Sequence, residues 1–434
     1  YYDTADLGLL SSRLTLRRRT GDDDTGWQFK VPAGDARTEI WLSVEGRGVP
    51  AEFRQLTLGV RAGHPLRPVA RIRTARDVHV IHGVDGSPLA ELVVDDVTAA
   101  RTGASTDVAQ WREVEVELKD GDEALLRRTT KWLRRTGVVP SPYRSKLARA
   151  LGDAASATDV ATDGLAGVVC AYLSAQRDAI LMGDLALRRE QDAIHTTRVA
   201  ARRYRSALRV LAELFDDERA VALDAELKWY ASVLGTVRDL QVLGGHLRSA
   251  LAELPDELIL GPVSMRLDQT LEKELIDARR ELDSAMRSRR YLALLQELQA
   301  WAEDPPMTEA RTKPAKRVEK YLHNAEKKLD RRLALAHQLP GHDPNKNEAL
   351  HLARKAAKRA RYTAELTAPV LGKAARSSFK AAKRLQTDLG HRHDAVLAVA
   401  FLQRVGAVAG AAAGENGFTF GVLLANEIHR GHLD

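Results

Sequence analysis

The 434-residue sequence contains one cysteine, Cys170, so an intrachain disulfide bond is excluded. Cys170 lies in an apolar stretch without a second cysteine, and we interpret it as a packing residue rather than a metal ligand or a reactive thiol. Runs of roughly 20 apolar residues, which a membrane-spanning helix needs, are also absent, as is a secretory signal. These absences favour a reducing, cytoplasmic location without a membrane partner.

Net charge is also small for a chain of this length. Lys and Arg total 66 against 59 Asp and Glu, which gives a formal charge of +7. Such a balance does not by itself indicate an anionic ligand, so any functional charge has to be concentrated locally. The length predicts two or three domains.

Residues 1 to about 119 show the two-residue alternation that is typical of β-strands. The strand-like segments are residues 14–19, 27–30, 69–73, 90–97 and 111–118. A helical stretch at 123–135 and a short segment at 143–151 follow them. Short strands joined by tight turns predict that this α+β chain begins with an antiparallel sheet or barrel domain.

The rest of the chain has a different pattern. Residues 152–163 are small and polar and predict a linker, whereas residues 164–434 carry apolar residues at helical spacing. The sequence Asp-Pro-Pro at 304–306 divides this helical domain into segments 164–304 and 305–434.

The two helical segments are similar to each other. Residues 193–205 align without gaps on residues 349–361, and the segment Leu-Gly-Thr-Val-Arg-Asp at 234–239 aligns on Leu-Gly-His-Arg-His-Asp at 389–394. Matching blocks in the same order and at nearly the same separation indicate an internal duplication.

Each copy contains a helix with one basic face. In the first copy, His195, Arg198, Arg202, Arg205 and Arg209 fall within an arc of roughly 80° on a helical projection. The segment 193–212 contains no Asp or Glu, and neither does the segment 349–364 of the second copy. Like charges at this spacing destabilise a helix, so an anionic partner is favoured over an ordinary solvated face.

The length and composition of these faces indicate the kind of anion. The first stripe extends on the order of 20 Å, which suits a chain of phosphates better than one phosphate. Arg and Lys both bind phosphate oxygens, and His is a further donor that strengthens when protonated. The basic faces carry almost no aromatic residue that would stack on a base, so a nucleic-acid ligand is the less favoured alternative.

The motif His-x-x-Arg-x-x-x-Arg/Lys-Arg-x-Arg, duplicated and followed by Leu-Gly-x-x-Arg/His-Asp, resembles the CHAD family (conserved histidine α-helical domain) over residues 164–434. The resemblance implies two pseudo-symmetric four-helix bundles with inorganic polyphosphate in the basic groove between them. The implied groove residues of the first copy are His195, Arg198, Arg202, Arg205 and Lys228. Those of the second copy are His351, Arg354, Lys355, Lys358, Arg361 and Lys383. Asp239 and Asp394 either join the groove or orient its neighbours.

Charged residues also share faces of the N-terminal strands. Glu113, Glu115 and Glu117 lie on one side of their strand, and Arg71 and Arg73 lie on one side of theirs. This pattern fits an open sheet with a wet face, and it equally fits a closed barrel with an ionic interior that holds a divalent metal and phosphates.

The segment Tyr1-Tyr2-Asp3-Thr4, with the strands that follow it and Ser145-Lys146, resembles the CYTH family of triphosphate tunnel metalloenzymes over residues 1–151. The resemblance implies an eight-stranded antiparallel tunnel that hydrolyses inorganic triphosphate with Mg²⁺ or Mn²⁺. The implied phosphate-binding residues are Arg17, Arg19, Lys30, Arg71, Arg73 and Lys146. The implied metal ligands are Asp95, Glu115 and Glu117.

One family feature is not found in this sequence, namely a first strand with the pattern Glu-x-Glu-x-Lys ahead of Tyr1. We therefore expect either the loss of an N-terminal segment or a tunnel that is one strand short, with weaker metal binding. The sequence thus predicts a CYTH-CHAD protein whose groove binds polyphosphate and whose intact tunnel hydrolyses tripolyphosphate. The alternative is a non-catalytic polyphosphate-binding module, located in the cytoplasm or on polyphosphate granules.

Overall fold

A computed structural model describes residues 1–21, 25–34, 36–43, 46, 48–102, 107–152, 164–340, 343, 345–412 and 415–432. The side chains of residues 36, 390–394, 431 and 432 are not described. The chain forms two compact units, Tyr1–Asp159 and Val160–Asp434, and each is described by itself. Apart from Gly152, the linker predicted at 152–163 lies outside the described residues.

Within its described residues, the N-terminal unit forms eight strands in two antiparallel sheets. The strands are β1 (Tyr2–Asp3), β2 (Thr15–Arg19), β3 (Gly26–Ala33), β4 (Ala36–Leu42), β5 (Arg67–Pro68), β6 (Ala70–His82), β7 (Pro88–Arg101) and β8 (Val108–Leu118). One sheet has the order β4-β3-β2-β1-β5 and the other the order β6-β7-β8. Within the described residues the two sheets do not close into one barrel. The predicted fold, an incomplete antiparallel tunnel followed by a helical domain, is confirmed.

The described part of this unit also contains five helices. They are α1 (Gly8–Ser11), α2 (Ala51–Leu56), α3 (Leu58–Arg61), α4 (Glu123–Arg135) and α5 (Lys146–Leu151). Helix α4 begins at an Asp122 side chain that accepts a hydrogen bond from the Leu125 amide, and α5 begins at Ser145 in the same manner. The core of the unit is apolar, with Trp27, Phe29 and Phe53 fully buried.

The Tyr-Tyr-Asp-Thr segment has a structural role. Asp3 is 1% exposed, and its carboxylate accepts hydrogen bonds from the backbone amides of Leu9 at 2.8 Å and Leu10 at 3.0 Å. These amides lie in the first turns of α1, where helical partners are lacking. Asp3 therefore fixes the chain between β1 and β2.

The C-terminal unit is helical. Its helices are α6 (Gly164–Arg188), α7 (Ile194–Val210), α8 (Asp217–Ala252), α9 (Val263–Arg287), α10 (Arg289–Glu303), α11 (Val318–Gln338), α12 (Lys346–Leu371), α13 (Lys373–Ala411) and α14 (Phe418–His432). Consecutive helices pack against each other in each half, and α7 of the first half packs against α12 of the second. The duplicated basic helices are thus neighbours in space.

The two halves also share a hydrophobic core. The C-terminal part of α8 and the N-terminal part of α9 pack with α13 and α14 of the other half. The residues of this shared core include Leu247, Leu267, Phe401, Leu402 and Phe420, each at most 4% exposed. The long helices α8 and α13 therefore connect this shared core to the region of the basic helices.

Among the described residues, one helix is long and apolar enough to cross a bilayer by length and composition, and this helix is α6. Sequence analysis predicted no such segment. In the structure α6 packs against α7 and α10 and buries two polar side chains, Gln176 and Asp184. These features are typical of the core helix of a helical bundle.

Asp184 joins three helices through buried polar contacts. It is 0% exposed, its carboxylate pairs with Arg188 at 2.9 Å, and it accepts a hydrogen bond from the Tyr291 hydroxyl at 2.9 Å. The Tyr291 and Tyr230 hydroxyl oxygens lie 3.3 Å apart, within hydrogen-bond distance. A buried network of this kind is stable only while every member has its partner.

Asp184→Ala is expected to lower the free energy of unfolding by about 3–5 kcal/mol, because Arg188 is left as a buried charge without its carboxylate. Urea unfolding followed by circular dichroism measures the loss. Asp277→Ala is the matched control, since Asp277 pairs with Arg280 at 3.4 Å on an exposed surface. Equal losses in the two variants would contradict the role of the buried network.

Candidate anion-binding site

The basic helices α7 and α12 approach closely because small residues lie between them and their neighbours. On α7 the buried residues include Ala200, Ala201 and Ala207, and on α12 they include Ala353, Ala357 and Ala360. Alanine adds little bulk and favours helix, so neighbouring helices can approach closely at these positions. The long cationic side chains on the remaining faces are therefore concentrated in one region.

Four predicted groove residues line a single cavity of about 340 Å³ on α7 and α8. They are Arg198, Arg202, Arg205 and Lys228. The rest of the lining is small or polar and comprises Ala231, Ser232, Gly235, Thr236 and Asp239. No aromatic ring lines this cavity.

Helix α8 holds Arg198 in place. The guanidinium Nη1 of Arg198 donates to Asp239 Oδ1 at 3.0 Å. A Cβ atom on Gly235 would lie 3.1 Å from Arg198 Nη2, so only glycine leaves ordinary room for the guanidinium. The Leu-Gly-x-x-Arg-Asp segment therefore orients a cation of the neighbouring helix. The corresponding side chains 390–394 of the second copy lie outside the described residues.

Arg202 of α7 and Lys358 of α12 come together near the centre of the basic surface. Burial, followed by the charges of Arg202 and Arg354, lowers the pKa of the Lys358 amine to about 6. Burial and the nearby cations Arg198, Arg354 and Arg361 likewise lower the pKa of Arg202, although the Tyr362 hydroxyl opposes this. In the described part of the chain, no carboxylate lies within ion-pair distance of either side chain. The two copies thus place basic side chains against each other in a partly desolvated space, and the Lys358 amine is mostly unprotonated at neutral pH while the site is empty.

The two histidines border this region. Burial and then the charges of Arg238, Arg198 and Arg202 lower the pKa of His195. Burial and then the charge of Lys355 lower the pKa of His351. Both imidazoles are therefore mainly neutral at physiological pH.

Other cations of the stripe are partly neutralised by α8. Asp224 pairs with Arg205 at 3.1 Å and with Arg209 at 2.6 Å. Because segments 193–212 and 349–364 contain no Asp or Glu, the sequence predicted that the positive charges of both basic faces lack acidic partners. For Arg198, Arg205 and Arg209 this prediction was wrong, since each pairs with an acid of α8. The compensating acids Asp224 and Asp239 belong to another helix, so spacing along α7 gave no signal for them.

The remaining predicted residues of the second copy lie on α12 and α13. Arg361 lies over the Tyr362 ring at 4.7 Å, and its charge, like that of Arg354, acts on Arg202. Lys355 and Lys383 are exposed. The structure therefore brings Arg354, Lys358 and Arg361 to Arg202.

In the N-terminal unit, carboxylates converge on an ammonium group. Lys146 Nζ lies 3.0 Å from Asp95, 2.6 Å from Glu113 and 2.8 Å from Glu115. Arg76 forms a two-bond pair with Asp95, with both distances at 2.8 Å. Burial raises the pKa of Asp95, but the bonds from Arg76 and Lys146 outweigh it, so that the pKa lies below its usual range.

The predicted tunnel residues are only partly brought together. Strand register places Asp95 opposite Arg76 and Glu113, whereas Arg71 and Arg73 lie opposite Ala100 and Thr98. Because side chains alternate, Arg71 and Arg73 are on the other face of this sheet from Asp95. Sequence analysis did not single out Arg76 as a partner of Asp95, because pairing between strands depends on register.

The other predicted residues of this unit lie on the first sheet or at the edge of the second. Arg17 donates to Gln28 and lies 3.2 Å from the Tyr1 hydroxyl, and Lys30 pairs with Glu39. Arg19 lies over the Trp41 ring at 5.9 Å. Glu117 is exposed and lies opposite Glu91.

The chemistry of the predicted metal ligands suits Mg²⁺ or Mn²⁺, since all are hard carboxylate oxygens. Their arrangement does not fit a metal as it stands. Among the described residues no group of three or more potential ligands is placed to hold one. Asp95 and Glu115 are held by Lys146 and Arg76 instead. Metal binding by Asp95, Glu115 and Glu117 stays a prediction.

An antiparallel sheet unit with an ionic cluster, followed by a duplicated helical unit with a basic cavity, defines a two-domain class of protein. The CYTH domain family matches residues 1–149 and the CHAD domain family matches residues 171–403. The chain belongs to the CYTH-CHAD proteins, in that domain order.

Two relatives from Mycobacterium tuberculosis, MT2285 of strain CDC 1551 and Rv2226 of strain H37Rv, are each 36% identical over 447 residues. The match covers 98% of this chain and 85% of each relative. Among solved structures, PptA from Streptomyces chartreusis is 22% identical, with a TM-score of 0.51 over 62% of this chain and 95% of that chain. The CHAD domain from the plant Ricinus communis is 26% identical, with a TM-score of 0.49 over 62% of this chain and 89% of that chain.

Lys358→Gln is expected to change how stability depends on pH. The pKa of folded Lys358 lies near 6 against an ordinary 10.5, so between these values the folded state binds fewer protons than the unfolded state. The free energy of unfolding of the unmodified protein should therefore rise with pH in this window. The variant should lose this slope and gain on the order of 2 kcal/mol at neutral pH.

Thermal unfolding measured in low-phosphate buffers across this pH range makes the comparison. Lys355→Gln is the matched control, because Lys355 lies on the same helix and is exposed. A slope that persists in Lys358→Gln, or disappears equally in Lys355→Gln, would contradict the assignment.

Proposed function

We propose that the helical unit binds inorganic polyphosphate along the basic surface formed by α7, α8 and α12. The observation that supports this proposal is the approach of Lys358 of one copy to Arg202 of the other, two half-buried basic side chains without a described acidic partner at ion-pair distance. Keeping both side chains protonated is therefore costly while the site is empty. A polyanion would remove the repulsion and supply the missing charge, so its binding is favoured by the same residues.

A linear phosphate polymer suits this surface better than a compact anion. The cationic stripe of α7 extends on the order of 20 Å, and guanidinium groups can form paired bonds with phosphate oxygens. The lining of the cavity beside this stripe has no aromatic ring, whereas single-stranded nucleic acid is usually held by base stacking. Binding to polyphosphate would also concentrate the protein at polyphosphate granules in the cytoplasm.

The double variant Arg202→Gln/Lys358→Gln is expected to weaken polyphosphate binding on the order of 100-fold, because it removes two charge-assisted contacts. The quadruple change of Arg202, Arg205, Lys358 and Arg361 to Glu should abolish it. Fluorescence anisotropy with end-labelled polyphosphate measures both.

The control is Lys273→Gln/Arg279→Gln, which removes two exposed cations from α9 of the same unit. Unchanged binding in the quadruple variant would refute the site. Competition with RNA distinguishes the two candidate ligands. Displacement of polyphosphate by RNA at equal phosphate concentration would favour a nucleic-acid ligand instead.

For the N-terminal unit we propose hydrolysis of inorganic triphosphate with Mg²⁺ or Mn²⁺. The supporting observation is the convergence of Asp95, Glu113 and Glu115 on one ammonium group beside Arg76. When bound, a divalent metal would polarise the phosphate chain and activate water. The carboxylates of this chain would have to exchange Lys146 for the metal, which leaves the lysine to bind phosphate.

Asp95→Asn and Glu115→Gln are each expected to lower phosphate release from tripolyphosphate by about 10–100-fold, because each removes an oxygen donor. A colorimetric phosphate assay with Mg²⁺ or Mn²⁺ measures the release. Glu123→Gln, on the exposed start of α4, is the matched control. Absence of release from the unmodified protein with either metal would favour the alternative, a binding protein with a degenerate tunnel.

A further inference from the structure

The two copies of the basic helix differ at the ends of the groove. Extending the alignment of the copies along the helices matches Arg203 of α7 with Arg359 of α12, and Arg209 of α7 with Glu365 of α12. One copy therefore has an acid where the other has a base. This difference makes the two ends of a nearly symmetric surface chemically unequal.

At the Glu365 end, charge is neutralised. Arg203 Nη2 pairs with Glu365 Oε1 at 2.8 Å, and the guanidinium lies 5.9 Å from the Tyr362 ring. Tyr172 of α6 lies beside them, and burial raises the pKa of its hydroxyl, which remains protonated. An anionic chain reaching this end would meet a carboxylate and aromatic rings.

At the Arg209 end, positive charge accumulates. Burial is the largest cause that lowers the pKa of Arg359, and the charge of the nearby Arg209 is the second. One carboxylate, Asp224, pairs with Arg205 and Arg209 together. Arg359 is in turn the leading cause of the lowered pKa of Lys328 on α11.

Helix α11 continues the cationic surface outward. Lys328, Arg331 and Arg332 fall within an arc of about 100° on this helix, and the acids Glu326 and Asp330 lie on the far side. Glu326 accepts a hydrogen bond from Ser378 of α13. Within the described residues, none of the three cations has an acidic partner at ion-pair distance. This row is outside the His-x-x-Arg motif and outside the predicted groove.

We propose that a polyphosphate chain leaves the groove at the Arg209–Arg359 end and continues over Lys328, Arg331 and Arg332 of α11. We call these three residues the α11 track. The inference rests on the proposed polyphosphate binding and adds polarity and chain-length selectivity to it. A short phosphate chain fits within the groove, whereas a long chain contacts both the groove and the α11 track. Glu365 closes the opposite end.

The test compares tripolyphosphate with long-chain polyphosphate on Lys328→Gln/Arg331→Gln/Arg332→Gln in the full chain. Long-chain affinity is expected to fall on the order of tenfold, and the slope of its logarithm against log salt should decrease by roughly two to three, because three phosphate contacts are lost. Tripolyphosphate affinity should stay unchanged. Calorimetry and fluorescence anisotropy at several salt concentrations provide both readouts.

The matched control is Lys273→Gln/Arg279→Gln/Arg287→Gln, which removes the same charge from exposed positions of α9. Three results would each contradict binding at the α11 track: equal losses of long-chain affinity in the two triple variants, equal losses of affinity for short and long chains, or no loss of affinity at all. If neither anion binds the unmodified protein, the proposed function itself fails.

The variant Glu365→Gln tests whether Glu365 closes the end of the groove opposite Arg209 and Arg359. Removing the carboxylate should free Arg203 for phosphate and raise long-chain affinity about two- to fivefold, without an effect on tripolyphosphate. An unchanged or lower long-chain affinity would contradict closure of this end by Glu365.

Discussion

The approach of two basic side chains, Arg202 and Lys358, is the constraint on which the basic surface of the helical unit depends. The two side chains come from the two copies, and burial removes the water that would stabilise their charged forms. Such an arrangement persists only if other contacts hold the helices in place. The alanine-rich packing of α7 and α12 and the core shared by α8, α9, α13 and α14 provide these contacts. The scaffold thus maintains an electrostatic potential that a bound polyanion would lower.

Helix α8 has a second role, which is to distribute this charge. Asp239 and Gly235 orient Arg198, and Asp224 joins Arg205 to Arg209. These acids reduce the net charge at the edges of the basic surface. At its centre, Arg202 and Lys358 have no acidic partner at ion-pair distance among the described residues. The guanidinium groups are therefore pre-oriented, and less side-chain freedom is lost when an anion binds. Glu365 and the α11 track then make the two ends of the surface different.

The N-terminal unit also contains buried charge, and its own residues neutralise that charge. Its buried Asp95 would be costly as an isolated charge, and it is stable because Arg76 and Lys146 contact it directly. Glu113 and Glu115 belong to the same network through Lys146. Phosphates and a divalent metal would compete with these internal pairs, so the proposed ligand binding in this unit would be an exchange of ionic partners rather than the filling of a prepared metal site.

Local sequence determined much of this protein. Two-residue alternation predicted the strands, helical periodicity predicted the long helices, and the repeated motif predicted that His195 and His351 occupy equivalent positions. These features depend on neighbours within one turn or one strand, which the sequence displays directly. The register of β6 on β7, which pairs Arg76 with Asp95 and turns Arg71 and Arg73 to the other face, was decided by tertiary structure. Tertiary structure also decided the pairing of Asp224 and Asp239 with α7 and the approach of Lys358 to Arg202. Each of these contacts depends on how separate helices pack, and residue spacing along one helix gives no information about the distance to another helix.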